Sequence, residues 1–335
     1  MAEVRAPRAV GERLTIAELG RRYMSELERR GRKRATLVAV ELALRVHLEP
    51  FFGERSVDSI KPEDVEDLVS LMETNGLKPK SIRNYIGTLS ALFAYAQGPR
   101  RRWASSNPCA GVDLPAVEQS AEIRFLDLDE VDALVAAVAP GPFERIDRAL
   151  FLTAAMTGLR QGELLALRWR DVDWTAGRVR VRQNYVLGEF GTPKSRRSTR
   201  SVPLADKVAG ELERLYQSRY AADEAGDRGD ELVFTTTGDP LKRSAILERF
   251  RAALGAAGLD QSRRFHDLRH TFGTRMAAAG VALRTLQEWM GHRDLATTQI
   301  YADYAPSAHE SALVEAAFQP RGTNPGTNLS DSQVT

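Results

Sequence analysis

The chain has 335 residues, 43% of them hydrophobic and 27% charged, and a formal net charge of +2. That length suits about two domains with ordinary cores, and no run of about eighteen apolar residues is present to span a membrane. The single cysteine, Cys109, excludes an intrachain disulfide or a thiolate metal cluster; with no apolar stretch behind the charged N-terminus, it predicts a reducing, cytoplasmic setting.

Residues 1–13 read as a flexible N-terminal arm. Thr15 then opens a helical pattern (Ile16, Leu19, Tyr23, Leu27) that stops at Arg29-Arg30-Gly31. A second helix over 34–51 carries Leu37, Val40, Leu44 and Leu48 on one stripe. A third begins at Pro62, where a proline suits the first turn, and runs to about Thr74; a fourth covers 80–97. Residues 14–107 are therefore a helical domain, and 108–124 have the composition of a linker. A larger domain, 125–318, begins with a helix capped by Asp127 or Asp129. A strongly apolar helix over 143–157 follows, then a short one after Thr157-Gly158. Gly177 to Arg182 alternates as a half-buried strand does, with a hairpin partner predicted near Tyr185-Val186 and another extended piece over 200–204. Helix returns over 206–222 and again from the acidic loop to about Phe318. The tail, 319–335, is rich in Asn, Ser, Thr and Gly and reads as disordered. The fold class predicted is mainly α with a small antiparallel β-sheet in the second domain.

Net charge alone does not mark a nucleic-acid binder, but its distribution points to one. Basic runs occur at Arg29 to Arg34, Arg100 to Arg102, Lys194 to Arg200 and Arg263-Arg264. Any one of them could be a solvated face, whereas four in separate places suggest a phosphate-facing surface. Phosphate-binding glycine loops are absent, so ATP-driven chemistry has no support.

The chemistry-bearing residues cluster in five stretches. Arg160 follows a glycine at a helix start and suits a phosphate clamp, or alternatively pairs with Glu163 three residues on. His266 and His270 are spaced i, i+4, as in paired metal ligands, yet Arg269 puts a permanent cation one turn away. The competing phosphate reading makes His266 the proton-transfer group, Arg269 an oxyanion clamp and His270 a structural neighbour. Gly291-His292 lies nine residues before Tyr301. Tyr301 and Tyr304 are phenols that would need cations or a proton acceptor to attack phosphorus at neutral pH.

Together these segments resemble the tyrosine recombinase (phage integrase) family. The resemblance rests on Thr-Gly-Leu-Arg-x-Gly-Glu-Leu at 157–164, Leu-Arg-Trp-x-Asp-Val-Asp at 167–173 and Thr-Pro-Lys-Ser before Arg-x-Val-Pro-Leu at 192–204. His-Asp-Leu-Arg-His at 266–270 and Met-Gly-His at 290–292 before Thr-Thr-Gln-Ile-Tyr complete it. It implies a two-domain, C-shaped DNA clamp whose 14–107 segment is a SAM-like core-binding domain and whose 125–318 segment is catalytic. Arg160 and Arg269 would hold the scissile phosphate, and Lys194 would protonate the leaving 5′ oxygen. His266 would move the nucleophile's proton, His292 would hydrogen-bond the phosphate, and Tyr301 would form a 3′-phosphotyrosyl bond. Glu163 and His270 would support them. Arg196 and Arg197 share the loop of Lys194, and Tyr304 lies one turn from Tyr301, so both assignments retain a rival.

The implied activity is site-specific DNA strand cleavage and rejoining without metal, ATP or other cofactor. Arg32, Lys33, Arg34, Lys80, Arg83, Arg196 and Arg197 are the candidate DNA-backbone contacts, alongside Arg29 and Lys78. The implied partners are double-stranded recombination sites, with a homo-tetramer on two duplexes and accessory DNA-bending or directionality proteins, and no membrane. The basic 191–200 loop favours an integrase of a phage or mobile element. An Xer-like chromosome dimer-resolving recombinase is the alternative, since the arm-type domain that many integrases carry is expected to be absent or reduced to residues 1–13. A non-catalytic DNA-binding regulator on this scaffold is a third reading.

Overall fold

The computed structural model describes residues 14–117, 123–191, 200–220 and 226–302. The chain divides into two compact units, Met1–Ala121 and Glu122–Thr335. Each has its own hydrophobic core.

In the first unit the Thr15 hydroxyl accepts the Glu18 amide at 3.3 Å and starts α1 (Ile16–Arg29). The single helix expected over 34–51 is continuous but not uniform. It comprises α2 (Arg34–Ala43), a π-helical segment (Leu44–Leu48) and α3 (Glu49–Phe52). Pro50 explains the widening, because it lacks the N–H that the Val46 carbonyl would otherwise receive. Pro62 and Pro79 sit in the first turns of α4 (Pro62–Thr74) and α5 (Pro79–Ala96). Leu19, Leu48, Phe52, Leu68, Ile82, Leu89 and Phe93 close the core at 2% exposure or less. Cys109 packs against it, and burial pushes its thiol up to about 12.

The second unit opens with α6 (Leu128–Ala136). Asp127 is its cap, accepting the Glu130 amide at 2.7 Å while Glu130 returns the bond to the Asp127 amide. The apolar helix α7 (Glu144–Thr157) runs through the centre and packs on α11 (Asp267–Ala278) and α9 (Asp206–Tyr220). Phe151, Phe250 and Phe265 meet edge-on at 5.3 to 6.2 Å around it. Short α8 (Gln161–Leu164) follows α7; α10 (Arg243–Ala256), α12 (Leu283–Met290) and α13 (Ala296–Gln299) complete the described helices.

Strand pairing departs from expectation. The alternating run is β2 (Arg178–Val181), but Tyr185-Val186 is not its partner. It pairs antiparallel with β1 (Val172–Asp173) and with β5 (Arg200–Pro203), in the order β1-β2-β5. Tyr185 and Val186 belong to β3 (Asn184–Val186), which forms a separate hairpin with β4 (Glu189–Gly191). The segment 192–199 therefore joins one small sheet to the other. It lies outside the described residues, as do residues 303–318 of the expected C-terminal helices.

Candidate active site

Helix α12 ends in the second unit at Gly291, which takes the left-handed conformation (φ 64°) that other residues resist. Carbonyls at a helix end lack intrahelical donors, and here three consecutive ones are met by guanidiniums. Arg200 Nε donates to Trp289 O at 2.5 Å, Arg269 Nη2 to Met290 O at 2.5 Å, and Arg160 Nη2 to Gly291 O at 2.9 Å. Arg269 also donates to Gly158 O. The three arginines arrive from different elements: Arg160 caps α8 just after the left-handed Gly158, Arg269 lies in the first turn of α11, and Arg200 opens β5. Gly158 is itself required, since a Cβ there would lie 2.5 Å from the Phe272 ring.

Glu163 ties two of these arginines together. Its carboxylate accepts the Arg160 amide (2.8 Å), Arg160 Nη1 (2.9 Å), Arg200 Nη1 (2.9 Å) and Arg200 Nη2 (2.8 Å). Of the two readings of Arg160, the pairing with Glu163 is the one seen, and the side chain stays 40% exposed. Burial would raise the Glu163 pKa, but the Arg200 fork and the Arg160 charge overcome it and hold the carboxyl at about 2. Arg200 and Glu163 side chains are 5% and 4% exposed; removing one partner of so buried a pair costs about 3–5 kcal/mol.

The imidazoles and the phenol lie beside this cluster. Tyr301 is 1% exposed, with its ring against Gly273, where a Cβ would come within 2.6 Å of it. Its hydroxyl lies 3.1 Å from Nδ1 of His270, not beside His266. His266 caps α11 with an exposed edge, and its ring stands 5.0 Å from that of His270. His292 Nδ1 is 2.9 Å from Thr298 Oγ1, and its ring stacks parallel to Tyr301 at 6.3 Å. Desolvation, followed by nearby cations, holds His266 below the usual imidazole range and His292 at about 3, so both are neutral at pH 7. Burial raises the Tyr301 pKa, while Arg269 and Arg160 oppose the rise. Arg269, 2% exposed, is lowered to about 9 by burial and by Arg160 and Arg200, which leaves it cationic at neutrality.

Arg160, His266, Arg269, His292 and Tyr301, with Glu163 and His270, are therefore gathered in one place. Lys194, Arg196, Arg197 and Tyr304 lie outside the described residues. In the first unit Arg32, Lys33, Arg34 and Lys80 are exposed, whereas Arg83 donates to Leu114 O and Pro115 O. Several members of the basic runs already have partners within the chain. Arg29 and Arg30 bond Glu26, Arg101 lies 3.8 Å over the Tyr95 ring, and Arg263 reaches Phe125 O and Glu130. Sequence reasoning passed over Arg200 as part of such a run. Its alternation with buried Val202 in β5 marked it as inward-facing.

Residues 124–307 match the phage integrase family model. A tyrosine recombinase XerC-like protein of Caldanaerobacter subterraneus is 29% identical over 90% of this chain and 82% of its own length. A tyrosine recombinase XerD of Staphylococcus saprophyticus is 26% identical over 79% and 85%. In fold the chain is similar to the Tn1549 transposon integrase in complex with a circular intermediate DNA. The TM-score there is 0.71 at 23% identity, covering 91% of this chain and 99% of that one. It is also similar to a lambda integrase dimer bound to a COC′ core site, with a TM-score of 0.65 at 20% identity over 87% and 96%. The chain belongs to the phage integrase family, the tyrosine recombinases, which are site-specific DNA recombinases.

Proposed function

We propose that the chain recombines the ends of a phage or other mobile element through a 3′-phosphotyrosyl intermediate, with Tyr301 as nucleophile. The observation that carries this reading is the meeting of Arg160, Arg269 and His292 beside one buried phenol at the end of α12. Tyr301 Oη attacks the scissile phosphorus, forming the tyrosyl–phosphorus bond as the bond to the 5′ oxygen breaks. The phenolic proton passes to an imidazole, for which His266, neutral and open to solvent on one edge, is assigned. Lys194 gives the departing 5′ oxygen its proton. Arg160 and Arg269 face the charge spread over the nonbridging oxygens, where fixed guanidiniums shielded from water are worth several kcal/mol. The tyrosyl ester conserves the phosphoester energy, so rejoining is the same sequence reversed and needs no ATP.

With Tyr301 and Arg269 both almost wholly covered, productive binding of a phosphate requires the segment bearing Tyr301 to shift. Arg32, Lys33, Arg34 and Lys80 are assigned to DNA-backbone contacts in the first unit, with Arg83, Arg196 and Arg197 as further members. The working assembly is a homo-tetramer on two duplexes, aided by accessory proteins, in the cytoplasm. An apolar groove of about 380 Å³ lined by Val131, Met156, Leu204, Phe272, Met276 and Trp289 suits the apolar segment 307–318 of a neighbouring protomer. A second reading, resolution of chromosome dimers, is favoured by the Xer names of the curated relatives.

The test is covalent capture on nicked random duplexes, followed by sequencing of what is trapped. Wild-type protein should yield one recurrent site, and Tyr301→Phe should trap nothing while still binding that site. Trapping by the phenylalanine variant would move the nucleophile to Tyr304. Recovered sites at the ends of a mobile element support the first reading; a single chromosomal site supports the second.

A further inference from the structure

An arginine buried on a strand, bonded on both sides and assigned no part in the chemistry, marks a place where charge is being managed. We propose that Arg200 is a positioning residue for strand cleavage, which takes up the charge of Glu163 so that Arg160 keeps its own for the phosphate. This rests on the role given above to Arg160.

The carboxylate of Glu163 touches two guanidiniums, with all four of its contacts between 2.8 and 2.9 Å. Two positive groups and one negative leave a net positive charge on the trio. If Arg200 were neutral, the buried carboxylate would have Arg160 alone as its counter-ion. The phosphate clamp would then be a neutral pair, with little left to offer an anion in a low-dielectric site. Besides the Arg200 fork, the Arg160 charge and its backbone N–H also act against the desolvation of Glu163.

The second half of the role is geometric. Arg200 Nε fixes the Trp289 carbonyl, and the next two carbonyls along the chain are those gripped by Arg269 and Arg160. The left-handed Gly291 lets the guanidinium lie under this turn, for a Cβ there would stand 3.0 Å from Arg200 Nη1. One residue thereby links β5, α8 and the carboxyl end of α12.

The experiment compares two duplexes of the captured sequence, one with the ordinary scissile phosphodiester and one with a methylphosphonate there, which lacks the negative charge. Single-turnover capture rates on each are measured for wild type, Arg200→Met and Arg200→Lys, below their melting temperatures. Arg200→Met should lower the phosphodiester-to-methylphosphonate rate ratio by about tenfold or more, with duplex affinity little changed. Arg200→Lys should recover most of the ratio, since a charge remains beside Glu163. Arg200→Gln, whose amide still reaches toward Trp289 O, replaces the methionine variant if the latter does not fold. A purely structural residue would slow both duplexes equally and leave the ratio at the wild-type value, and that result overturns the proposal. Because the duplex is itself recovered by capture with wild-type protein, failure of the recombinase reading would appear before this comparison is made.

Discussion

The hydroxyl of Tyr301 has an imidazole partner at 3.1 Å, and it is His270. His266 sits one turn away with an exposed edge. Burial raises the phenol's pKa against the opposing charges of Arg269 and Arg160; with the phenol donating, His270 Nδ1 accepts and the neutral tautomer carries its hydrogen on Nε2. His270 thus holds the phenol proposed as nucleophile, and exposed His266 is the imidazole proposed to accept its proton. His266→Ala should lower the single-turnover capture rate by about 10²- to 10⁴-fold, the range for a lost general acid–base. His270→Ala should cost roughly tenfold, because an aligned contact is lost rather than the acceptor. Equal losses would transfer the proton-accepting role to His270. The histidines, arginines and tyrosine were legible in the sequence because their residue types announce chemistry at helical spacing. Which imidazole meets the phenol was not, since that depends on the rotation of α11 against a segment about thirty residues away.

At the scale of elements, glycine decides how closely the pieces of the site approach. Gly273 faces outward from α11 onto the ring of Tyr301, with three ring carbons within 2.8 Å of where a Cβ would stand. An alanine there favours the helix by about 1 kcal/mol but cannot coexist with the ring in this position. Gly273→Ala should therefore expose Tyr301, seen as faster nitration of that residue in DNA-free protein by peptide mapping. Unchanged nitration would mean that the ring is not seated on Gly273 in solution. The same scale shows where sequence reading faltered. Tyr185-Val186 looked like the return strand of Arg178–Val181, because adjacent alternating runs ordinarily form a hairpin. In fact Leu187 and Gly188 both take positive φ and close a separate two-residue turn. Leucine seldom adopts that conformation, so nothing in its identity signalled the turn. β1, with two residues, is too short for any periodicity to reveal. By contrast, the long helices were legible: α1 from its apolar stripe and Thr15 cap, α5 from its stripe behind Pro79, and α7 from its apolar run ending at Gly158.

Across the whole molecule, titratable groups are distributed unevenly between the two cores. Of the five histidines, His266, His270 and His292 lie around the site in the second unit, and His47 is in the first. All four of these are held below the usual imidazole value chiefly by burial, His292 to about 3. A buried neutral imidazole resists protonation that the unfolded chain accepts near pH 6.5, so the unfolded state binds more protons as pH falls below that value. Stability of the second unit is therefore full above about pH 6.5 and declines as pH drops toward 4.5. Glu163, held at about 2 by its arginines, adds a loss only below the ordinary carboxylate range. Asp147 and Asp171, raised by desolvation, act with the opposite sign near that range and do not offset the imidazoles above it. Discounted for partial exposure, the decline from pH 7 to 5 is about 1–3 kcal/mol. Trp169, Trp174 and Trp289 lie in the second unit, and Trp103 is the single tryptophan of the first. Urea unfolding of a Trp103→Phe variant followed by fluorescence thus reports the second unit alone. Its midpoint should fall between pH 7 and pH 5, and adding His266→Gln should reduce that fall. A midpoint that stayed level or rose on acidification would show that these imidazoles are not held neutral, and would remove His266 as a proton acceptor at working pH.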